Sequence, residues 1–271
     1  MTSTLRELWL FFRRDLSIAR TYRTAFLFEA IQALFGVAML YYVARFVDSP
    51  QLQHALPRSE SYFSFTLIGF VFLDYLNAAI DTFDHSLVEA RDSGTLEHLL
   101  VTQTSLPVIL AGSAVYPFAA ATLRIAVYLV WGAVLFGFPL GQTNWLAVVT
   151  VLIATLLAFS GLGILSASYL LLFKRGNPAK WFFIGLSSVV GGMLFPITVL
   201  PDWLQVVARL NPVTYALDAM RAALLGWAGL HAVWRPLLVL LVFGVVLLPL
   251  SMAVFAWCLR RTKITGTLMH R

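Results

Sequence analysis

The sequence predicts an all-α integral membrane protein with six transmembrane helices in a single domain, residues 1–271. Three observations carry that prediction. Hydrophobic residues make up 60% of the chain and charged residues only 12%, against about a quarter charged in an ordinary soluble domain. The apolar residues fall in long continuous runs, and a helix needs about 20 of them to cross a bilayer. The runs do not alternate as barrel strands would, and in lipid only helices and closed barrels satisfy their own backbone.

Residues 1–24 read as an amphipathic helix lying flat at the membrane surface. Arg6, Arg13 and Arg20 recur at a spacing of seven, with Glu7 and Arg14 beside them. Leu5, Leu8, Trp9, Phe12, Leu16 and Ala19 fill the other face, so the arginines meet anionic headgroups while the apolar side dips into the acyl boundary. Met1–Arg23 is charged throughout and lacks the apolar core and small-residue site of a cleaved signal.

Six segments then qualify as spans: Ala25–Val47, Ser61–Phe83, Pro107–Phe138, Trp145–Phe173, Trp181–Leu200 and Leu237–Leu259. Trp145, Trp181, Trp234 and Trp257 fall near their ends, as an aromatic belt does. Thirteen of the 19 Lys and Arg residues lie on one side of this arrangement and five on the other, with Arg124 inside a span. The richer side is expected to be cytoplasmic, which puts both termini inside. The formal charge of +6 is thus read as topology, not as a nucleic-acid surface. Cys258, the single cysteine, sits in an apolar run and reads as a packed side chain.

Two segments do not fit a plain bundle. Residues 84–106 form a cytoplasmic connection in which Ser86-Leu87-Val88-Glu89 matches a capping box. Gly94 permits a bend, and Thr95 can cap a short helix whose apolar face is Leu96, Leu99 and Leu100, with Glu97 and His98 turned away. Residues 201–234 form an outer segment. Pro201-Asp202-Trp203-Leu204 opens one short helix, and Asn211-Pro212 opens another, with Asn211 as N-cap and Pro212 in the first turn. Along the second, Val213, Leu217, Met220 and Leu224 form an apolar stripe. Thr214, Asp218 and Arg221 form a polar one in which Asp218 and Arg221 are spaced to pair. Gly191-Gly192 and Pro196 loosen the preceding span.

Glu29, Asp74, Asp81 and Arg124 fall in or near spans, where charge is expensive and is paired or functional. The expected arrangement is a structural ion pair of Arg124 with Asp74 or Glu29, with Asp81 near the cytoplasmic end. Ser160-Gly161-Leu162-Gly163 suits close helix packing. The chain has no G-x-x-x-x-G-K-[ST] phosphate loop and no H-E-x-x-H, and its five histidines are scattered. It is therefore not expected to cradle ATP phosphates itself or to be an enzyme.

Together the motifs resemble the membrane permease family of type-2 ABC exporters. The resemblance rests on Glu89 with Gly94-Thr95-Leu96-Glu97-His98-Leu99-Leu100 after the second span. It rests also on Phe195-Pro196-Ile197-Thr198-Val199-Leu200-Pro201-Asp202-Trp203-Leu204, and on Asn211-Pro212-Val213-Thr214-Tyr215-Ala216-Leu217-Asp218-Ala219-Met220-Arg221, before the sixth. It implies that residues 1–24 are an interfacial connecting helix. Glu89, Arg91 and Gly94–Leu100 would couple to a separate ATP-binding subunit that holds ATP and Mg. Phe195, Pro196, Pro201, Trp203, Asn211, Pro212, Tyr215 and Arg221 would belong to re-entrant helices closing the outer end. Two permease copies would pair around a route that exports an amphiphilic, drug-like, lipid or glycan substrate from a bacterial inner membrane, with no cofactor on this chain, no metal site and no nucleic acid. A proton-coupled secondary transporter is the alternative, although such folds show broken helices in matching halves and only one broken region is visible here.

Overall fold

The structure, a computed structural model, describes residues 9–17, 23–47, 61–92, 106–173, 177–225 and 230–264. Among them every regular element is helical: α1 (residues 9–17), α2 (Arg23–Val47), α3 (Tyr62–Asp92), α4 (Leu106–Phe136), α5 (Trp145–Phe173), α6 (Pro178–Val190), α7 (Asp202–Arg209), α8 (Pro212–Leu224) and α9 (Leu230–Ile264), with short 3-10 turns at Leu140–Gln142 and Ile197–Val199. Five of these, α2, α3, α4, α5 and α9, are long and apolar enough to cross a membrane.

The centre of the bundle is α3. It packs against α2, α4, α5, α6 and α8, and Phe65, Leu67, Ile68, Phe72, Tyr75 and Leu76 along it are almost completely buried. Its sequence is apolar nearly all round, which marks a helix enclosed by others. By contrast α2 keeps a broad apolar face outward, with Phe28, Phe35, Met39 and Phe46 all at least 70% exposed. In water such a patch would be a liability; in lipid it is an ordinary surface. Trp145, Trp181, Trp234 and Trp257 are each more than half exposed, as belt residues must be.

The small residues of α5 are packing devices. A Cβ at Gly163 would lie 2.6 Å from the Ala79 carbonyl oxygen of α3, and one at Gly161 would lie 2.8 Å from Leu247 Cβ of α9. The direction of α9 also follows from these contacts. Leu157 meets Gly244 and Gly161 meets Leu247, so α9 runs parallel to α5.

Several expected boundaries move. The fourth span, Trp145–Phe173, is met to the residue. The second does not stop at Phe83, because nothing before Gly94 breaks a helix and Asp84 is supplied with hydrogen-bond donors; α3 runs on to Asp92. Ser86 is consequently mid-helix and starts nothing: its hydroxyl donates to the Phe83 carbonyl at 3.1 Å. The last helix begins at Leu230, so Leu230–Trp234 belongs to it and not to the outer segment. In the stretch expected as a fifth span, Trp181–Leu200, the α-helix stops at Val190; the whole of α6, Pro178–Val190, has 13 residues, about 20 Å of helix against a hydrocarbon core of about 30 Å. It ends at Gly191-Gly192, where Gly192 takes φ +78°, a left-handed conformation open to glycine at no steric cost.

Candidate functional site

The helix α3 carries two polar stations, one toward each end, and α6 touches both. The station toward the carboxyl end of α3 begins with Asp84, which is 8% exposed. Ser166 Oγ of α5 donates to its two carboxylate oxygens at 3.1 and 3.0 Å. Asn177 Nδ2 donates to Asp84 Oδ2 at 3.0 Å and to Ser166 Oγ at 2.6 Å. Asn177 is also the N-cap of α6, its Oδ1 accepting from the Lys180 amide at 3.0 Å, with Pro178 in the first turn. Lys180 Nζ donates to Asp81 Oδ1. One turn of α3 thus meets the first turn of α6 through two carboxylates, an amide and an ammonium. Charge and donors match, which is the condition for keeping such groups out of water.

The second station lies twelve residues earlier on α3, about 18 Å along the helix. Gly69 is pressed against the turn that ends α6: a Cβ there would sit 2.0 Å from the Met193 carbonyl oxygen. Arg221 of α8 closes the joint. It is 3% exposed, its Nη2 donates to the carbonyls of Gly192 at 2.8 Å and Phe65 at 3.2 Å, and its guanidinium carbon lies 3.5 Å from the centre of the Phe65 ring. A guanidinium suits this place because it is planar, stacks on an aromatic face and still offers donors at its edge.

Around Arg221, α7 and α8 are tied together by their caps. Asn211 Oδ1 accepts from the Val213 amide at 3.0 Å, and its Nδ2 donates to Ser187 Oγ of α6 at 3.0 Å. Thr214 Oγ1 and Tyr215 Oη donate to the Ala208 and Arg209 carbonyls at 2.8 Å each, tying α7 to α8. At the far end of α8, the Asn144 amide donates to the Ala223 carbonyl at 2.9 Å and Thr143 Oγ1 to that of Leu224 at 2.9 Å. The α4–α5 connection therefore receives carbonyls that the helix end leaves open.

The sequence-predicted residues fall into four groups. Asn211, Pro212 and Arg221 are buried in this joint with Pro196 nearby, and Tyr215 is half-buried. Phe195, Pro201 and Trp203 are exposed, Trp203 at 67%. The two-sided character expected of α8 is not kept: Thr214 and Arg221 are as buried as Val213 and Leu217, and Asp218 is exposed. Asp218 lies within electrostatic reach of Arg221, but the hydrogen bonds of Arg221 Nη2 go to main-chain carbonyls. Of the intramembrane charges, Arg124 Nε lies 3.1 Å from Asp74 Oδ2. Its N–H is not aimed along a hydrogen-bond line, since neither atom gains a hydrogen-bond partner by it, so the attraction is Coulombic. Glu29 is exposed on α2, within electrostatic reach of Asp74. Asp81 stands one turn from Asp84, paired with Lys180. Glu89 and Arg91 are on the last turn of α3, with side chains outside the described positions, and Gly94, Thr95, Leu96, Glu97, His98, Leu99 and Leu100 lie outside the described residues.

Sequence reasoning missed Asp84, Ser166 and Asn177, and around the other station Phe65, Gly69 and Ser187. One signal was available: Asn177-Pro178 repeats the cap pattern of Asn211-Pro212. Nothing local in Phe65 or Gly69 points to a partner 150 residues away.

The profile of the ABC-2 type transporter membrane family matches residues 1–225. The inner membrane transport permease YadH of Escherichia coli strain K12 is 28% identical over 166 residues, 61% of this chain and 64% of that permease. The probable multidrug ABC transporter permease YbhR of the same strain is 28% identical over 157 residues, 58% of this chain and 42% of that protein. Nodulation protein J of Rhizobium meliloti strain 1021 is 26% identical over 179 residues, 63% of this chain and 65% of that protein. The match thus spans less than two thirds of the length of each of these relatives.

Proposed function

The chain belongs to the ABC-2 type transporter membrane family, and from that premise we propose that it is the permease subunit of an ATP-driven exporter. A separate ATP-binding subunit holds ATP and Mg and does the hydrolysis. A second permease copy completes the route, and the cargo is an amphiphile: a drug, a lipid or a glycan-bearing molecule. The membrane is a bacterial inner membrane with both termini in the cytoplasm. In this reading α6 and the turn after it complete a fifth crossing, α7 and α8 are the re-entrant pair, and α9 is the sixth crossing.

The observation that supports this best is the continuity of α3. Its 31 residues make one rod of about 46 Å, longer than the hydrocarbon core. The coupling segment follows directly from its cytoplasmic end, and the joint of Gly69, Met193 and Arg221 grips it toward the other. A displacement imposed from the cytosol on residues 89–100 is carried by α3, and by α6 clamped beside it, to α7 and α8. Packed helices shift between discrete arrangements and do not stretch, so the two ends move together. ATP binding then biases an inward/outward equilibrium through contacts that differ between the two states.

The test is charge reversal at Glu89 and Glu97. Glu89→Arg with Glu97→Arg is expected to abolish co-purification with the ATP-binding subunit and its ATPase stimulation. Unchanged assembly and unchanged stimulation would remove the docking assignment. Transport by the purified permease alone, following a pH gradient, would replace it with a secondary transporter.

A further inference from the structure

Among the described residues α4 packs on α2 and α3, while α9 packs along α5. Between these pairs lies a cavity of about 880 Å³, walled by Ala111, Val115 and Ala119 of α4, Leu157 and Ile164 of α5, and Met252 of α9. It belongs to neither polar station, and the coupling path does not use it. Its volume is near the upper end of the about 300–1,000 Å³ of ordinary ligand pockets.

The wall determines what can fill it. The two hydroxyls it contains are already used: Thr122 Oγ1 donates to the Phe118 carbonyl at 2.8 Å and Ser160 Oγ to that of Leu156 at 2.7 Å. Water needs two to four polar partners in a buried site and finds almost none here. A void would forfeit the dispersion contacts of every wall atom. Ala111, Ala119 and Leu157 are exposed, so the cavity opens sideways to the surroundings of the bundle, which in a bilayer are acyl chains. The lining of α4 runs from Pro107 to Ala126, about 28 Å of helix, which is nearly the depth of the hydrocarbon core.

The mouth has a charge of its own. The Phe11 ring of α1 packs where a Cβ of Gly112 would be, 2.6 Å from that position, which seats α1 beside Ala111 at the Pro107 end. The Arg14 guanidinium lies 5.4 Å from the Phe11 ring centre, and Arg13 beside it is exposed. Because α9 parallels α5 and the α4–α5 pair is antiparallel, the carboxyl end of α9 reaches this same end with Arg260 and Arg261, the latter over the Trp257 ring at 5.4 Å. Asp15, bonded to Arg14 Nε at 2.7 Å, is the acidic residue on α1 among those described.

We propose that this cavity is a binding site for a resident anionic phospholipid, with an acyl chain between α4, α5 and α9 and its phosphate at the arginines of α1 and α9. It is a fixed component of the fold and not the exported cargo.

The experiment uses the full chain extracted in mild detergent from membranes of phosphatidylethanolamine and phosphatidylglycerol. Retained lipids are read by native mass spectrometry, and a phospholipid with a photoreactive group in mid-chain is mapped by peptide digestion. Wild-type protein is expected to retain phosphatidylglycerol and to be labelled within residues 107–126. Ala119→Trp, which fills the cavity, should lose the retained lipid, whereas Val245→Trp on the exposed side of α9 should keep it. Arg14→Gln should lower the preference for phosphatidylglycerol by about fivefold, the effect of one arginine near an anionic surface. Labelling confined to other helices in the wild type, or equal retention by Ala119→Trp, overturns the proposal. So does transport of the bound lipid in an ATP-dependent assay, which would make it cargo. Retention and labelling need no ATP-binding subunit, so their failure is separable from failure of the exporter assignment.

Discussion

Gly69→Ala sets two effects of opposite sign against each other. In a helix interior alanine is favoured over glycine by about 0.5–1 kcal/mol, so propensity alone predicts a gain. At Gly69 the new methyl would lie 2.0 Å from the Met193 carbonyl oxygen, 2.8 Å from its carbon and 3.0 Å from its Cα. The carbonyl must retreat by about 1 Å merely to reach the closest separation real Cβ atoms show. It is poorly able to do so, because the preceding Gly192 is held at φ +78° and its own carbonyl is bonded to Arg221 at 2.8 Å. Overpacking costs about 1–3 kcal/mol, and weakening a buried hydrogen bond from a charged donor costs about 1.5–3 kcal/mol more. The collision wins, and a net loss of about 2–4 kcal/mol is expected. Unfolding in mixed micelles measures it. Gly185→Ala, where a Cβ meets nothing within 4 Å, is the matched control and should stabilise by about 0.5–1 kcal/mol. The Gly69 and Arg221 changes should also be non-additive, because they act on one turn. If Gly69→Ala unfolds within 0.5 kcal/mol of wild type, or moves in the same direction as Gly185→Ala, the joint is not rigid and the reasoning is wrong.

Two further outcomes follow from the charged groups. Arg124→Met should leave Asp74 uncompensated and cost at least about 2 kcal/mol, less than a fully buried pair because each side chain keeps about 30% of its surface. The double variant with Asp74→Met should recover most of that loss, since neither charge then needs a partner; thermal unfolding of all three proteins reads the cycle. Asp84→Ala removes the acceptor of Ser166 and Asn177 and should cost about 3 kcal/mol, from two bonds to a carboxylate at about 1.5 kcal/mol each. If the Asp84 station transmits motion, the same variant should keep the proposed ATP-binding subunit bound but lower its stimulation by substrate, measured as ATPase activity in vesicles. Full stimulation with lost stability would reduce the station to a structural role.

Legibility differed by the kind of signal. The span Trp145–Phe173 was readable to the residue because Asn144 and the Lys174-Arg175-Gly176 stretch bound one apolar run. The caps of α8 were readable because Asn followed by Pro acts within one turn. Asp84 was misread as part of a cytoplasmic loop, since a carboxylate after an apolar run looks like the run's end. Ser166 and Asn177, its donors, are about 80 and 90 positions away in the chain, and without them burial would indeed be costly. The polar face of α8 failed for a related reason. Arg221 was expected to pair with Asp218 on its own helix, whereas its Nη2 donates to carbonyls of α3 and of the turn after α6.

The amino-acid order alone pointed to the solvent and the helical class, and to the breaks at Gly191-Gly192 and Asn211-Pro212, because these depend on local composition and on backbone sterics. Only the tertiary structure decided that α3 is the central rod, that α6 stops short and is clamped to it at both ends, and that a cavity remains between α4 and α9. Those features are set by which distant carbonyl meets which side chain, and no local pattern encodes a distance of that kind.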